Sequence, residues 1–138
     1  MGKVTFIDAS VLIAAATGTD DVHRIAMAVL DDPDRTFASS DFVRLEVLPK
    51  PLYFGRHAEA SFYQEFFDRI SVWVPASRSL VQGAFDEARK SGLSAMDGLH
   101  VAAAVLAEAE ELVTGEKPTS PLSKTKSVPV KSIRPVVS

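Results

Sequence analysis

The chain has 138 residues, 46% of them hydrophobic and 24% charged, which suits one globular domain with a real core and excludes two of ordinary size. It contains no cysteine, which excludes disulfides, thiolate zinc sites, iron–sulfur ligation and a thiol nucleophile. The net charge of −3 is unevenly divided: residues 1–116 carry ten basic against all eighteen acidic side chains, whereas Lys117, Lys124, Lys126, Lys131 and Arg134 follow with no acid among them, a segment suited to phosphate or an acidic partner.

Lys3–Ile7 is expected to be a short buried strand, because Val4, Phe6 and Ile7 are too continuous for a half-exposed one. Val11–Ala16 is helical and stops near Thr17-Gly18. Val22, Ile25, Ala26, Val29 and Leu30 then follow the stripe of an amphipathic helix, with Asp20 and Asp21 at its start, and Asp31-Asp32-Pro33-Asp34 turns the chain. Thr36-Phe37-Ala38 is a second strand, and Ser39 or Ser40 caps a helix carrying Phe42, Val43, Leu45 and Glu46 up to Pro49, with Pro51 marking a break.

Phe62, Tyr63, Phe66, Phe67 and Ile70 line the apolar face of the next helix; this aromatic stripe, with Tyr53 and Phe54, is core or a surface for a partner or a second copy. Ser71–Val74 is strand-like and closed by Pro75. Ser79 with Gln82 has the spacing of a capping box for a helix through Leu80, Val81, Ala84, Phe85 and Ala88 to Ser91-Gly92. A last helix spans Ala95–Ala109, followed by a strand at Glu111–Thr114 and, after a Pro- and Ser-rich loop, a final strand at Val128-Pro129-Val130. Strands alternating with helices imply a parallel α/β sheet covered on both faces, with ligands at the carboxyl ends of the strands. No apolar run approaches the length of a bilayer span and the N-terminus lacks a signal-peptide layout, so a cytoplasmic protein without membrane contact is expected.

Four acids sit at the borders of apolar segments: Asp8, Glu46, Asp97 and Glu116. Converging carboxylates away from water are unfavourable unless a cation compensates them. Asp8 follows a strand and precedes Ser10, bringing carboxylate, hydroxyl and helix N–H groups together; the alternative is a plain helix N-cap. Glu46 shares a helix face with Phe42 and Val43; the alternative is a pairing with Arg44 or Arg56. Asp97 stands three residues after Ser94, the spacing of a capping box, which is compatible with a ligand role at the mouth of a cleft. His100, one turn on, is a ligand, a substrate contact or a core residue. Glu116 is by default a loop acid.

The segments Phe6-Ile7-Asp8-Ala9-Ser10, Glu46-Val47-Leu48-Pro49-Lys50, Asp97-Gly98-Leu99-His100 and Leu112-Val113-Thr114-Gly115-Glu116 resemble, in order and context, the acidic motifs of the PIN domain family, as in VapC-like toxin ribonucleases. The resemblance spans essentially the whole chain, taken as one domain over 1–138 whose basic segment 117–138 holds the final strand. It implies a three-layer α/β/α sandwich with a central parallel sheet and an acidic pocket for Mg²⁺ or Mn²⁺, in which Asp8, Glu46 and Asp97 are core ligands and Ser10 and Thr114 supply hydroxyls. The family's fourth motif usually reads Thr-x-Asp, so Thr114-Gly115-Glu116 keeps the charge and adds a methylene.

Oxygen ligands suit hard cations rather than zinc, and such a site hydrolyses phosphodiesters without a protein nucleophile. The implied function is a metal-dependent endoribonuclease, the toxin of a toxin–antitoxin pair, with catalysis on Asp8, Glu46, Asp97 and Glu116; RNA, a small antitoxin and a second copy are the expected partners. Lys3, Arg44, Arg78 and Lys117 are rim candidates for phosphate. The main alternative is a catalytically silent PIN-like module that binds RNA or protein. A haloacid-dehalogenase-like phosphatase with Asp8 as nucleophile ranks low, because Ser10 stands where that chemistry wants a second Asp.

Overall fold

The computed structural model describes residues 2–134, so positions 1 and 135–138 of the expected domain lie outside the described residues. Among the described residues five strands, β1 (Lys3–Ile7), β2 (Arg35–Ser40), β3 (Val72–Val74), β4 (Glu111–Thr114) and β5 (Val130–Ser132), pair in parallel in the order β3-β2-β1-β4-β5. Between them run α1 (Ala9–Thr17), α2 (Asp21–Leu30), α3 (Asp41–Val47), α4 (Pro49–Tyr53), α5 (His57–Asp68), α6 (Arg78–Ser91) and α7 (Ala95–Leu106). The expected α/β architecture with a central parallel sheet is present.

The chain steps from β1 outward to β2 and β3, then crosses back over the sheet to β4 and β5 on the other side of β1. Right-handed crossovers therefore put α1–α5 on one face and α6 and α7 on the other. The packing agrees: α1 contacts α2, α3 and α5, whereas α6 packs chiefly on α7. Covered on both faces, the inner strands bury nearly everything, with Thr5, Phe6 and Ile7 of β1 and all of β4 out of water. The edge strands β3 and β5 are only three residues each, which limits their use as templates for aggregation.

Several boundaries differ from the sequence reading for identifiable reasons. Pro51 does not break the chain: Pro49 and Pro51 both lie in the first turn of α4, where backbone N–H groups have no intrahelical partner and a missing one costs little. Ser77, rather than Ser79, caps α6; its extended backbone lets the hydroxyl accept the Leu80 N–H at 3.0 Å. On α6, Leu80 and Ala84 are buried but Val81 and Phe85 are exposed. Helix α7 ends at Leu106, earlier than Ala109, with Glu108 at a φ of 54°. The last strand starts at Val130, because Pro129 has no N–H and enters the ladder only through its carbonyl, which accepts the Leu112 N–H at 2.8 Å.

Gly98 is what allows α6 and α7 to close on each other: a Cβ there would lie 2.8 Å from the Ala84 carbonyl oxygen. This close approach fixes the first turn of α7, which carries Asp97, against α6. The aromatic stripe of α5 is mostly core, with Tyr63 and Phe66 fully buried, while Tyr53 and Phe54 remain exposed. Among the described residues, no helix is long and apolar enough to cross a membrane.

Candidate functional site

Asp8 follows β1 beside β4, where the strand order reverses and the connections diverge to opposite faces, leaving a crevice at the carboxyl edge. Its N–H donates to the Val113 carbonyl at 3.0 Å and its carbonyl accepts from Val11 at 3.0 Å, so strand and helix are joined through this one residue. Asp8 occupies the N-cap position of α1 in extended conformation, yet its side chain makes no capping bond. Its Oδ2 instead accepts from Thr114 Oγ1 at 2.7 Å and Ser10 Oγ at 3.0 Å, and Oδ1 lies 3.6 Å from His100 Nε2. A carboxylate that is only 4% exposed and bonds side-chain hydroxyls rather than its helix's backbone N–H groups is not serving as a cap.

The Thr114-Gly115-Glu116 turn holds those hydroxyls in place. The Gly115 N–H donates to Ser10 Oγ at 2.7 Å and the Glu116 N–H to Thr114 Oγ1 at 3.1 Å, so each hydroxyl accepts from β4's tail and donates to Asp8. A Cβ on Gly115 would sit 3.1 Å from both Cβ and Oγ of Ser10, so the close approach depends on glycine.

Glu46 arrives from α3, whose start is set by Ser40 Oγ accepting the Val43 N–H at 3.3 Å. Asp41 pins the same helix to the β3–α6 connection by accepting from Trp73 Nε1 and Ala76 N, both at 2.8 Å, and these donors hold its carboxyl below the usual range. Glu46 is not paired with Arg44 or Arg56. Its Oε1 lies 3.0 Å from His100 Nε2. The imidazole is buried with Nδ1 unpartnered among the described residues. Burial pushes its pKa down, but the Glu46 hydrogen bond and the charges of Asp8, Glu46 and Asp97 outweigh that and raise it.

Asp97, on the first turn of α7, donates its N–H to Ser94 Oγ at 3.2 Å, so the expected cap is real. Its carboxyl is pushed up to about 6, first by burial and then by the charges of Glu116 and Asp8, with His100 and Ser94 only partly offsetting them. The structure thus brings Asp8 and Glu46 around His100, and Asp97 close enough to Glu116 and Asp8 for their charges to raise its pKa. Among the described residues, however, no three His, Asp or Glu side chains form a group ready to hold a metal ion. Glu46 is drawn onto His100 instead. The donor chemistry nevertheless fits a hard divalent cation, because the acids are oxygen donors whose mutual repulsion such an ion would relieve.

Of the rim candidates, Lys117 lies beside Glu116. Lys3 does not belong to the rim: it pairs with Glu111 at the opposite edge of the sheet, 3.3 Å from Oε1.

Residues 5–117 match the model of the PIN domain. The chain belongs to the PIN domain family. No curated protein matches this PIN domain by sequence. Among solved structures it is similar to a toxin–antitoxin complex from Klebsiella pneumoniae, with a TM-score of 0.74 at 17% identity over 96% of this chain and 99% of that one. VapBC2 from Rickettsia felis, bound to a promoter DNA fragment, gives 0.69 at 14% identity, covering 94% and 98% of the two chains. VapC20 from Mycobacterium tuberculosis, a toxin that cleaves the sarcin–ricin loop, gives 0.68 at 14% identity, covering 90% and 98%. At these identities the likeness is one of fold, and it extends over the whole PIN domain rather than a local motif.

Proposed function

We propose that this PIN domain is a metal-dependent endoribonuclease, the VapC-like toxin of a toxin–antitoxin pair acting in the cytoplasm. The observation that carries the reading is the Asp8 carboxylate: buried at the N-cap position, it leaves its helix uncapped and is held by two hydroxyls in a pocket shared with other acids. Asp8, Glu46, Asp97 and Glu116 would hold Mg²⁺ or Mn²⁺, with Ser10 and Thr114 in support. Such a cation supplies polarisation of the phosphodiester and an activated water. The chain's own residues orient the carboxylates: Ser10 and Thr114 fix the Asp8 plane, His100 steers Glu46, and Ser94 seats Asp97.

A protein partner is supported by exposed Leu45, Leu52, Tyr53 and Phe54, the first two bordering a groove of about 340 Å³ between α3 and α4. A small antitoxin or a second copy would cover them. The competing reading, a silent RNA- or protein-binding module, is favoured by Glu116 in place of the usual Asp and by Glu46 being engaged with His100.

The two readings part on an RNA cleavage assay with and without Mn²⁺. Asp8→Asn and Asp97→Asn abolish cleavage, Glu116→Gln weakens it and Glu116→Asp largely preserves it. If Glu116→Gln cleaves like the parent, the site runs on three carboxylates. A parent that cleaves no RNA with or without Mn²⁺ gives the silent module its place.

A further inference from the structure

We propose that the open groove beyond Ser10 and Glu116 seats the RNA strand next to the cleaved bond, with Lys117 and Arg134 holding its phosphates; this deepens the nuclease reading and rests on it. The groove, about 480 Å³, is lined by Ser10 and Glu116 from the acid site together with Lys117, Thr119 and Arg134. Ser10 belongs to both regions, since the hydroxyl that binds Asp8 also forms the groove wall. A chain lying in the groove is therefore continuous with whatever reacts at Asp8.

Both cations are exposed, and neither makes an ion pair with the described residues. Arg134 is also aimed: its Nε donates to the Gly115 carbonyl at 2.5 Å and its backbone N–H to Ser132 Oγ at 3.0 Å, while Ser132 donates to the Glu116 carbonyl. These bonds lay the guanidinium against the wall and leave its terminal nitrogens for a phosphate, which a planar fork binds well. Thr119 adds a hydroxyl donor, and Ser120 Oγ beneath is unpartnered among the described residues.

Two cations face one wall acid, Glu116, in a chain whose first 116 residues carry a balance of −8. A polyanion drawn to a carboxylate pocket needs its counter-charge close by, and these side chains place it one step from Asp8. An acidic protein segment shares the charge of RNA but has no reacting bond to deliver to Ser10 and Asp8, so the phosphodiester is the better occupant.

The test is the binding of a mixed-sequence single-stranded RNA 12-mer to the full chain in Ca²⁺, read by fluorescence anisotropy over a salt series. Parent, Lys117→Gln/Arg134→Gln and the charge-matched control Arg89→Gln/Lys90→Gln are compared, with Mn²⁺ affinity and cleavage kinetics alongside. Removing one cation that neutralises a phosphate lowers the slope of log K against log salt by about 0.7 on a single strand, so the slope of the groove variant should fall by about 1.4. Its KM should rise while kcat and Mn²⁺ affinity hold, and the control should follow the parent.

An unchanged slope with weaker Mn²⁺ binding or lower kcat would make Arg134 a brace for Gly115-Glu116 and overturn the proposal. So would a groove variant that no longer binds a polyglutamate 12-mer but still binds RNA like the parent. If the parent cleaves RNA and the slope does not move, the subsite alone falls; if the parent neither binds nor cleaves RNA, the nuclease reading fails and the subsite falls with it.

Discussion

Where the strands begin, Glu111 is fully buried and surrounded by donors: Thr5 Oγ1 at 2.6 Å, Arg35 Nε at 3.0 Å, and Lys3 and Lys131 Nζ each at 3.3 Å. Where the strands end, Asp97 feels the charges of Glu116 and Asp8, and the His100 ring nitrogen is shared between Asp8 and Glu46 at 3.6 and 3.0 Å. Burial works against the charge of Glu111, yet its donors win and hold its pKa at about 2, whereas burial and neighbouring acids lift Asp97 to about 6. One edge of the sheet carries an acid that the protein has neutralised itself, and the other carries acids left for something else to neutralise. That contrast is the physical ground for placing chemistry at one edge and stability at the other.

The largest expected effect is on activity. Asp8→Asn should lower cleavage by at least about 100-fold, more than the loss from disturbing a group that merely supports a ligand, while Glu111→Gln should leave the activity of folded protein intact. A comparable loss in both would erase the distinction between the edges.

Stability should respond in the reverse order. Glu111→Gln strands Arg35 and two lysines and should cost about 3 kcal/mol in urea denaturation, the low end for a broken buried pair, because Lys3 and Lys131 keep about half their side chains in water. Asp97→Asn should stabilise the metal-free protein, by about 1 kcal/mol once its partial exposure is allowed for, or roughly 2–4 °C. The pH profile sharpens the same contrast. Glu111 has its folded pKa depressed, so its stabilisation is present above about 4.5 and fades as pH falls toward about 2. Asp97 has its folded pKa raised, so its charged form destabilises above about 6 and the penalty is relieved as pH falls toward about 3.8. Glu111→Gln should flatten the limb between about 4.5 and 2 and Asp97→Asn the limb between about 6 and 3.8, each leaving the other in place.

The smallest effect is expected at Gly115. Gly115→Ala needs Ser10 to give way by a few tenths of an ångström and should reduce cleavage several-fold with little change in stability. A fully active variant would show that the Ser10 contact does not position Asp8.

Much of this division is legible in the sequence, and the exceptions share a cause. The α/β order, the helix caps at Asp20, Ser40 and Ser94 and the four acids follow from periodicity, capping chemistry and motif context, all of which are local. Glu111 reads only as one strand residue, because all four of its partners, Thr5, Lys3, Arg35 and Lys131, come from β1, β2 and β5 and meet it only across the sheet. His100 stays ambiguous for the same reason: its role depends on Glu46, 54 residues away. Lys3 is wrongly assigned to the rim: as the first residue of β1 it lies at the edge opposite the carboxyl ends of the strands, where it pairs with Glu111. Pro51 misleads because its neighbour Pro49 starts a helix in which both rings are tolerated.

The most direct test of an edge left for a cation is the melting temperature of chelator-treated protein against added Mn²⁺, for the parent and Asp8→Asn. At 100 times the dissociation constant a single site adds about 2.7 kcal/mol, on the order of 5–10 °C for a chain of this size. The expected result is a saturable rise of that order in the parent and little or none in Asp8→Asn. A parent whose melting temperature is indifferent to Mn²⁺ would contradict it.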